Sequence, residues 1–525
     1  MTGNNDRGAN VIRRAIISVH DKSGLADLAR SLAELGVQIL STGGTADTIR
    51  AGGIEVQDVS ELTGFRELLG GRVKSMHPAV HAGILTRRDV QGDLEELNEH
   101  GIEMIDLVVA NFYPFDSRQP DSGVAKATEL IDIGGPALVR AAAKNHAFVT
   151  VATDPEDYAE LLAEMTVGGG STSLEFRKRL AARAFSLTAA YDAEIATWLH
   201  GLVSENDPER ILINGQNGCS LPYGENPHQR ATFHAVGPSG HGLGSARQLG
   251  GKPLGYNNLL DANAAASLAS EFDEGRLAAC ALIKHGTPCG VAVAHSPSEA
   301  FEKAWNCDPV SAFGGVVAMN RPLDANTAER IAGRFVEVLI APSVDEDAVR
   351  VLKAKPRLRI LECGVPEFAG NNREVRSVCG GLLVQDPDRS RFDREECRVV
   401  TVMGPTGEQW DDLEFAWSVA KHAKSNAIVL AANGAAVGIG SGQTSRVAAA
   451  GMASANHHNH HANARSVVAA SDGFFPFPDG IEKLATARVA AIIQPGGSRN
   501  DSEIIKAANE LGLAMVFTGI RNFRH

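Results

Sequence analysis

The sequence predicts an α/β protein of more than one domain. Three observations carry this: strand-length apolar runs alternate with amphipathic helices, 54 glycines accompany only 5% aromatic residues, and 525 residues exceed what one core organises. Abundant glycine suits repeated tight turns from strand to helix. The formal charge of −13 argues against a nucleic-acid binder, which needs a basic face. It leaves room for anionic small substrates, which need only a local pocket of Lys and Arg. Seven cysteines without a CxxC pair fit neither a disulfide framework nor a zinc ribbon, and match a reducing cytoplasm. The polar opening MTGNNDRGANVIRR does not read as a signal peptide, and no apolar run nears the ~20 residues of a membrane span.

In chain order, residues 15–19 read as a strand, 23–35 as a helix ending at Gly36, and 37–40 as a second strand. Both strands end in small hydroxyl or glycine residues just before a helix. Ser18, Lys22 and Ser23 lie around the end of the first, and Ser41, Thr42, Gly43, Gly44 and Thr45 follow the second. Free backbone N–H groups and the helix dipole at such ends make a phosphate cradle. Residues 70–83 read as a loop that gathers Arg72, Lys74, Ser75, His77 and His81 among Gly and Pro. A strand at 105–110 delivers Asn111, Phe112 and Tyr113, and Asp132 precedes a helix running to about His146. Asp132 and Lys144 cannot touch along a continuous helix, but can reach a common cavity from opposite ends. A strand at 148–152 and helices to about His200 close this unit, and the polar link 205–210 places a boundary near 200–210.

The later residues have their own organisation. The apolar run 277–282 reads as a buried strand that hands Lys284 and His285 to a Gly/Pro turn. Lys284 can hold an anion, and the imidazole of His285 can move a proton. Residues 221–229 and 249–258 are turn-rich, and 260–272 read as helical. Helix, then Lys424-Ser425-Asn426, then an apolar strand echoes the region of Lys284, which suggests a duplicated α/β unit. The histidine-rich run 456–461 has no nearby Cys or carboxylate and reads as a solvated loop. Phe474, Phe475 and Phe477, held by Pro476 and Pro478, form either a rigid apolar wall for a flat ligand or a core plug.

Taken together, GGRVKSMHPAVHAGIL, IDIGGPALVRAAAKNH, YGENPHQ, IKHGTPCG, SGQTSR and SDGFFPF, in this order, resemble the AICAR formyltransferase/IMP cyclohydrolase family. The resemblance covers nearly the whole chain. It implies a methylglyoxal-synthase-like parallel-sheet domain at 1–205 and a formyltransferase domain at 206–525. The latter would be built from two cytidine-deaminase-like α/β units, about 206–375 and 376–525. The deaminase zinc signature is broken, because Pro288-Cys289 is followed by Gly290-Val291-Ala292 where a second Cys is needed. No catalytic metal is expected.

The resemblance implies two reactions. First, a formyl group moves from 10-formyltetrahydrofolate to the 5-amino group of AICAR. His285 would be the general base, a role worth about 10²–10⁴-fold. Lys284 would support charge, and Asn426 would orient the formyl oxygen or His285. Tyr223, Gly314, Glu337 and Arg446 would line the AICAR side, and Phe474, Pro476, Phe477 and Asp479 the folate side. Arg521 would reach the AICAR phosphate across a homodimer interface. Second, formyl-AICAR closes to IMP with loss of water. Lys144 and Asp132 would handle protons at the carboxamide, with Lys74 and Tyr113 at the formyl oxygen. Arg72, Ser75 and Asn111 would position the base, and the Ser18–Lys22 and Ser41–Thr45 turns would hold phosphate. The expected setting is the cytoplasm, with no nucleic-acid or membrane partner.

One departure stands out. Relatives often carry Arg immediately before the Tyr-Gly of YGENPHQ, where this chain has Pro222. Two other readings compete. A regulatory phosphate-ligand module would need the cradle but not the set Lys74, Tyr113, Asp132 and Lys144, and a zinc deaminase would need the missing Cys.

Overall fold

Alternating strand and helix periods in the first 150 residues build a parallel sheet. The computed structural model describes residues 10–65, 68–69, 72–113, 115, 123–203, 210–236, 242–273, 275–364 and 373–525. Gly70, Gly71 and most of the link 205–210, with the boundary expected there, lie outside them. The chain divides into two compact units, Met1–Asn214 and Gly215–His525.

In the first unit the strands are β1 (Arg14–Ser18), β2 (Gln38–Ser41), β3 (Gln57–Asp58), β4 (Leu107–Ala110) and β5 (Thr150–Ala152). They pair in parallel in the order β3-β2-β1-β4-β5. Helices α1 (Leu25–Glu34), α2 (Gly43–Ala51), α3 (Val59–Thr63), α4 (Pro78–Leu85), α5 (Gln91–Glu99), α6 (Gly123–Glu129), α7 (Gly134–Lys144), α8 (Tyr158–Val167) and α9 (Leu174–Val203) accompany them. Burial of β4 along its whole length explains why it reads as a continuous apolar run. Helix α1 buries Leu25, Leu28, Ala29 and Leu32, one stripe at helical spacing. It is shorter than the expected 23–35, because Gly24 and Gly36 bracket it at φ +69° and +76°, outside helical backbone. Sheet order reverses at β1, which lies between β2 and β4, so a crevice opens over their carboxyl ends.

The second unit begins with a hairpin of β6 (Gly215–Leu221) and β7 (Ala231–Val236). A first half then runs β8 (Arg247–Gly250), α10 (Tyr256–Ala269), β9 (Ala278–Lys284), β10 (Thr287–Ala294), α11 (Pro297–Cys307), α12 (Pro309–Ala312), β11 (Gly315–Met319), α13 (Ala325–Ala332), β12 (Val336–Ala341), α14 (Glu346–Leu352) and β13 (Arg359–Glu362). An exposed hairpin, β14 (Glu374–Val378) and β15 (Gly381–Gln385), follows. The second half runs β16 (Arg398–Val399), α15 (Gly407–Lys421), β17 (Ile428–Ala432), β18 (Ala435–Gly440), α16 (Arg446–His461), β19 (Val467–Ser471), α17 (Asp479–Thr486), β20 (Val489–Gln494), α18 (Asp501–Glu510) and β21 (Ala514–Phe517).

Both halves join one 12-stranded sheet, order β16-β21-β20-β19-β17-β18-β10-β9-β11-β12-β13-β8. Read outward from the centre, 10-9-11-12-13-8 and 18-17-19-20-21-16 are the same topology. The halves meet where β10 pairs antiparallel with β18 at Ala292 and Ala435, and Val293 N donates to Gly434 O (2.8 Å).

The register of the repeat differs from the sequence echo. His285 N and Gly286 N donate to the Asp261 carboxylate of α10 (3.3 and 2.6 Å). Asn433 N and Gly434 N donate to the Asp412 carboxylate of α15 (2.9 and 2.7 Å). His285 and Asn433 both have φ +54°. The counterpart of Lys284 is therefore Ala432, not Lys424. The histidine run also differs from expectation. It ends helix α16, whose alanine-rich segment carries the helix past Gly451 and into the histidines, and His457 is only 2% exposed. His461 Nε2 contacts Cys307 O at 3.1 Å.

Candidate active sites

In the second unit, β9 ends by projecting Lys284 and His285 into a cavity of about 440 Å³ between the halves. Lys284 Nζ donates to Phe313 O (2.5 Å), which ties it to the turn before β11. His285 is exposed, with its backbone held by Asp261. Cys289, Cys307, Asp308 and Ser311 join it from the first half, and Ser441, Met452 and Asn456 from the second. Burial pushes the Cys289 and Cys307 thiols up to about 12, so neither supplies a thiolate nucleophile.

Because β10 and β18 are antiparallel, the carboxyl end of β9 faces the amino end of β17. A Cβ placed on Gly286 would lie 3.9 Å from Lys424 Cε. Two residues on, Asn426 Nδ2 donates to Gln443 O (2.8 Å) and its Oδ1 accepts from Arg446 Nη2 (2.9 Å). Arg446, 6% exposed, pairs through Nη1 with the fully buried Asp472. The structure thus gathers Lys284, His285, Asn426 and Arg446 in one region.

Other expected residues lie around this region. Gly314, at φ +73°, donates its N–H to Phe335 O (2.8 Å) beside the turn that receives Lys284. Glu337 accepts from Asn258 Nδ2 (3.3 Å) at the start of α10. Tyr223 is exposed on a turn connected to α10 by Asn257 Nδ2 and Glu225 O (3.3 Å). Of the three phenylalanines, Phe475 is fully buried, whereas Phe474 and Phe477 point outward, so plug and wall coexist. Pro476 O accepts from Asn500 Nδ2 (2.7 Å), and the Asp479 carboxylate, in the first turn of α17, accepts from Gly480 N (2.7 Å). The Arg521 guanidinium lies 4.8 Å over the Phe523 ring.

In the first unit, the candidates gather over the carboxyl ends of β1, β2 and β4. Cβ atoms placed on Gly43 and Gly44 would lie 3.1 Å from Lys74 Nζ and 3.7 Å from Lys22 Nζ. Two ammonium groups and the start of α2 thus converge, next to Ser18 and Thr42. Not every hydroxyl faces outward. Ser41 Oγ donates to Ile17 O (2.7 Å), which ties the end of β2 to β1, and Thr45 Oγ1 donates to Val19 O (3.0 Å), which ties the start of α2 to the residue after β1. Asn111 Oδ1 accepts from His20 N and Asp21 N (2.7 and 2.9 Å), which shapes the turn after β1. Tyr113 stands against His20, ring centroids 4.6 Å apart. Arg72 pairs with Glu129, and Ser75 Oγ lies 3.2 Å from a Cβ placed on Gly134.

Asp132 Oδ1 accepts from Gly135 N (3.0 Å), and burial raises its carboxyl above the ordinary range, with the N–H groups of Gly135 and Gly134 opposing. Lys144 is the last residue of α7, roughly 15 Å along the axis from Gly134 by helix rise. Within this unit Lys144 does not meet Asp132.

Several supporting residues escape sequence reasoning. Tyr191 Oη of α9 accepts from Asp132 N (2.8 Å) and donates to Leu130 O (3.2 Å), fixing the loop that carries Asp132. Asp261 and Asp472 act through backbone and guanidinium contacts. Only the SDGFF string hinted at Asp472. Among the described residues, no group of three or more His, Cys, Asp or Glu converges as a metal site, and no helix is long and apolar enough to cross a membrane.

Comparison with known proteins adds the following. The profile of the AICARFT/IMPCHase bienzyme family matches residues 142–456, and that of the MGS-like domain matches residues 24–137. The bifunctional purine biosynthesis protein PurH of Cereibacter sphaeroides is 49% identical over 524 residues, 98% of this chain and 99% of its own. PurH of Parvibaculum lavamentivorans is 50% identical over 98% of this chain and 97% of its own, and PurH of Brucella ovis is 50% identical with the same coverage. The crystal structure of ForH aligns with 37% of this chain and 100% of its own at 40% identity and a TM-score of 0.35, too partial to bear on the fold.

Proposed function

The chain belongs to the AICARFT/IMPCHase bienzyme family, and from that membership we infer a bifunctional enzyme of purine biosynthesis that formylates AICAR and then closes formyl-AICAR to IMP. The observation that carries this reading is whole-length similarity combined with a strand end that presents Lys284 and His285 to a cavity, at a turn whose Gly286 approaches the Lys424 side chain. The formyl donor is 10-formyltetrahydrofolate, and the two halves of the second unit are deaminase-like folds without zinc. We assign transfer to 206–525 and ring closure to 1–205, in a cytoplasmic homodimer.

The acceptor amine is a weak nucleophile, because its lone pair is spread into the imidazole and carboxamide. His285 removes its proton as nitrogen attacks the formyl carbon, Lys284 stabilises the negative charge that develops, and the bond from that carbon to N10 then breaks, so that tetrahydrofolate leaves with the proton on N10. Asn426 presents the formyl oxygen. AICAR lies along Tyr223, Gly314, Glu337 and Arg446, and the folate against Phe474, Pro476, Phe477 and Asp479. With Pro222 in place of a cation, the AICAR phosphate falls to Lys284 and to Arg521 from a second copy. For ring closure, Lys22, Gly43 and Gly44 hold the phosphate and Lys74 and Tyr113 the formyl oxygen. The carboxyl of Asp132, raised by burial, retains a proton to higher pH than an exposed Asp and can exchange it with the carboxamide. Lys144 joins it from a second copy of the chain, since α7 separates the two within one.

The test follows both steps in one preparation. His285→Ala should abolish formylation while supplied formyl-AICAR still closes. Lys144→Ala should formylate normally and accumulate formyl-AICAR. Normal transfer in the first variant refutes the base assignment, and normal IMP output in the second removes Lys144 from ring closure.

A further inference from the structure

Duplication within the second unit supplies an internal control for one buried charge. The residue that follows β11 is Asn320, and the residue that follows β19 is Asp472. Both accept from the backbone N–H near the start of the neighbouring strand: Ala279 N to Asn320 Oδ1 at 2.7 Å, Ala427 N to Asp472 Oδ1 at 3.0 Å. An amide therefore satisfies what the fold asks of this position. Asn320 directs its Nδ2 at Phe272 O and Leu277 O (3.1 and 3.2 Å), and among the described residues it has no charged partner there. Asp472 is fully buried, accepts from Ser425 Oγ, and pairs with Arg446 Nη1. Burying a carboxylate is costly unless its partners are well placed, so a charge where the sister position manages with an amide calls for a specific task.

That task is visible one bond further on. The second terminal nitrogen of Arg446 donates to Asn426 Oδ1 (2.9 Å), and Asn426 Nδ2 donates to Gln443 O (2.8 Å). Oδ1 therefore faces a donor and Nδ2 an acceptor, which settles the orientation of the amide and leaves its second N–H for substrate. Gly473 makes room for this geometry, since a Cβ there would lie 2.6 Å from Arg446 Nη2.

We propose that Asp472 is a positioning residue for formyl transfer, acting through Arg446 to hold the Asn426 amide toward the formyl oxygen. This rests on the reading above that Asn426 presents that oxygen. Asp472→Asn, made in the full chain, installs the residue that the first half already uses. Formyl transfer should lose kcat by about 10- to 100-fold, below the 10²–10³ typical for deleting a donor outright. KM for AICAR should change less than about threefold, and ring closure of supplied formyl-AICAR should be unchanged. The decisive readout is a double-mutant cycle with Asn426→Ala. If Asp472 acts through Asn426, then Asp472→Asn costs little further activity in the Asn426→Ala background. Additive losses, or a wild-type kcat in Asp472→Asn, overturn the proposal and leave the site reading intact. Wild-type transfer by Asn426→Ala alone sinks both. Should Asp472→Asn not fold, Asp472→Glu, which keeps the buried charge but displaces the carboxylate from Arg446 Nη1, takes its place in the cycle with the same expectation.

Discussion

The two halves of the second unit share a backbone and differ in chemistry. After β9, the turn reads Lys284-His285-Gly286; after β17, it reads Ala432-Asn433-Gly434. A carboxylate from the preceding helix holds both turns by two N–H groups, Asp261 in one and Asp412 in the other. At the opposite strand ends the contrast reverses: Asn320 is a plain backbone acceptor, whereas Asp472 joins an ionic network. Antiparallel docking of β10 on β18 explains how both facts serve one site. It places the carboxyl end of one half beside the amino end of the other, so each half needs reactive groups at one end only. The second unit is an internally duplicated frame with one corner specialised.

The largest effect that sharpens this contrast comes from giving the first half the second half's residue. His285→Asn should keep the fold, since Asn tolerates positive φ and already occupies the sister turn. Formyl transfer should fall about 10²–10⁴-fold, measured on purified protein, while ring closure stays normal. A variant that still transfers well would mean that the two turns do not differ in function. The reverse change, Asn433→His, should create no activity, because Ala432 supplies no ammonium.

An intermediate effect tests the shared backbone. Cβ atoms on Gly290 and Gly438 would lie 2.1 Å from Ala304 O and 2.3 Å from Ala453 O, contacts with helix backbone that cannot move cheaply. Gly290→Ala and Gly438→Ala should each destabilise by about 1–3 kcal/mol in urea melts. If one were neutral, the halves would not pack α11 and α16 alike.

The smallest effect concerns the pair that joins the halves. Glu271 and His422 stand ten residues after Asp261 and Asp412, and His422 Nε2 meets Glu271 Oε1 at 2.9 Å. Burial lowers the His422 pKa from 6.5, with Glu271 opposing. The unfolded chain therefore takes the proton first as pH falls. Stability is fully present above about 6.5 and is lost from there down to the lower folded pKa. The urea midpoint should drop as pH falls below about 6.5, and His422→Gln should flatten that dependence.

Much of this arrangement is readable from residues, and what is not has a common cause. The first sheet is legible because buried parallel strands are apolar runs and α1 has a clear stripe. Lys284, His285, Asn426 and Arg446 stand out because their side chains are chemically conspicuous next to Gly and Ser. The repeat is misregistered by sequence for the same reason. Lys424 attracts the eye toward Lys284, whereas the halves are related through Asp, Gly and backbone N–H groups that any surface sequence also contains. Asp261, Asp472 and Tyr191 are hidden because their roles are partnerships, the last with a residue 59 positions away. The histidine run misleads because its polarity outweighs the helix it continues, in which His457 turns inward.

The seam between the halves bears on how the chain reaches its final form. Each hairpin, β9–β10 and β17–β18, closes over a few residues, but the seam joins Ala292 to Ala435 across more than a hundred. Contacts that distant come late, because the intervening chain must first give up its freedom. Until they do, β10 and β18 are bare sheet margins with unpaired N–H and C=O groups, open to pairing with the wrong molecule. During synthesis, the first half waits for the second with its most adhesive strand uncovered.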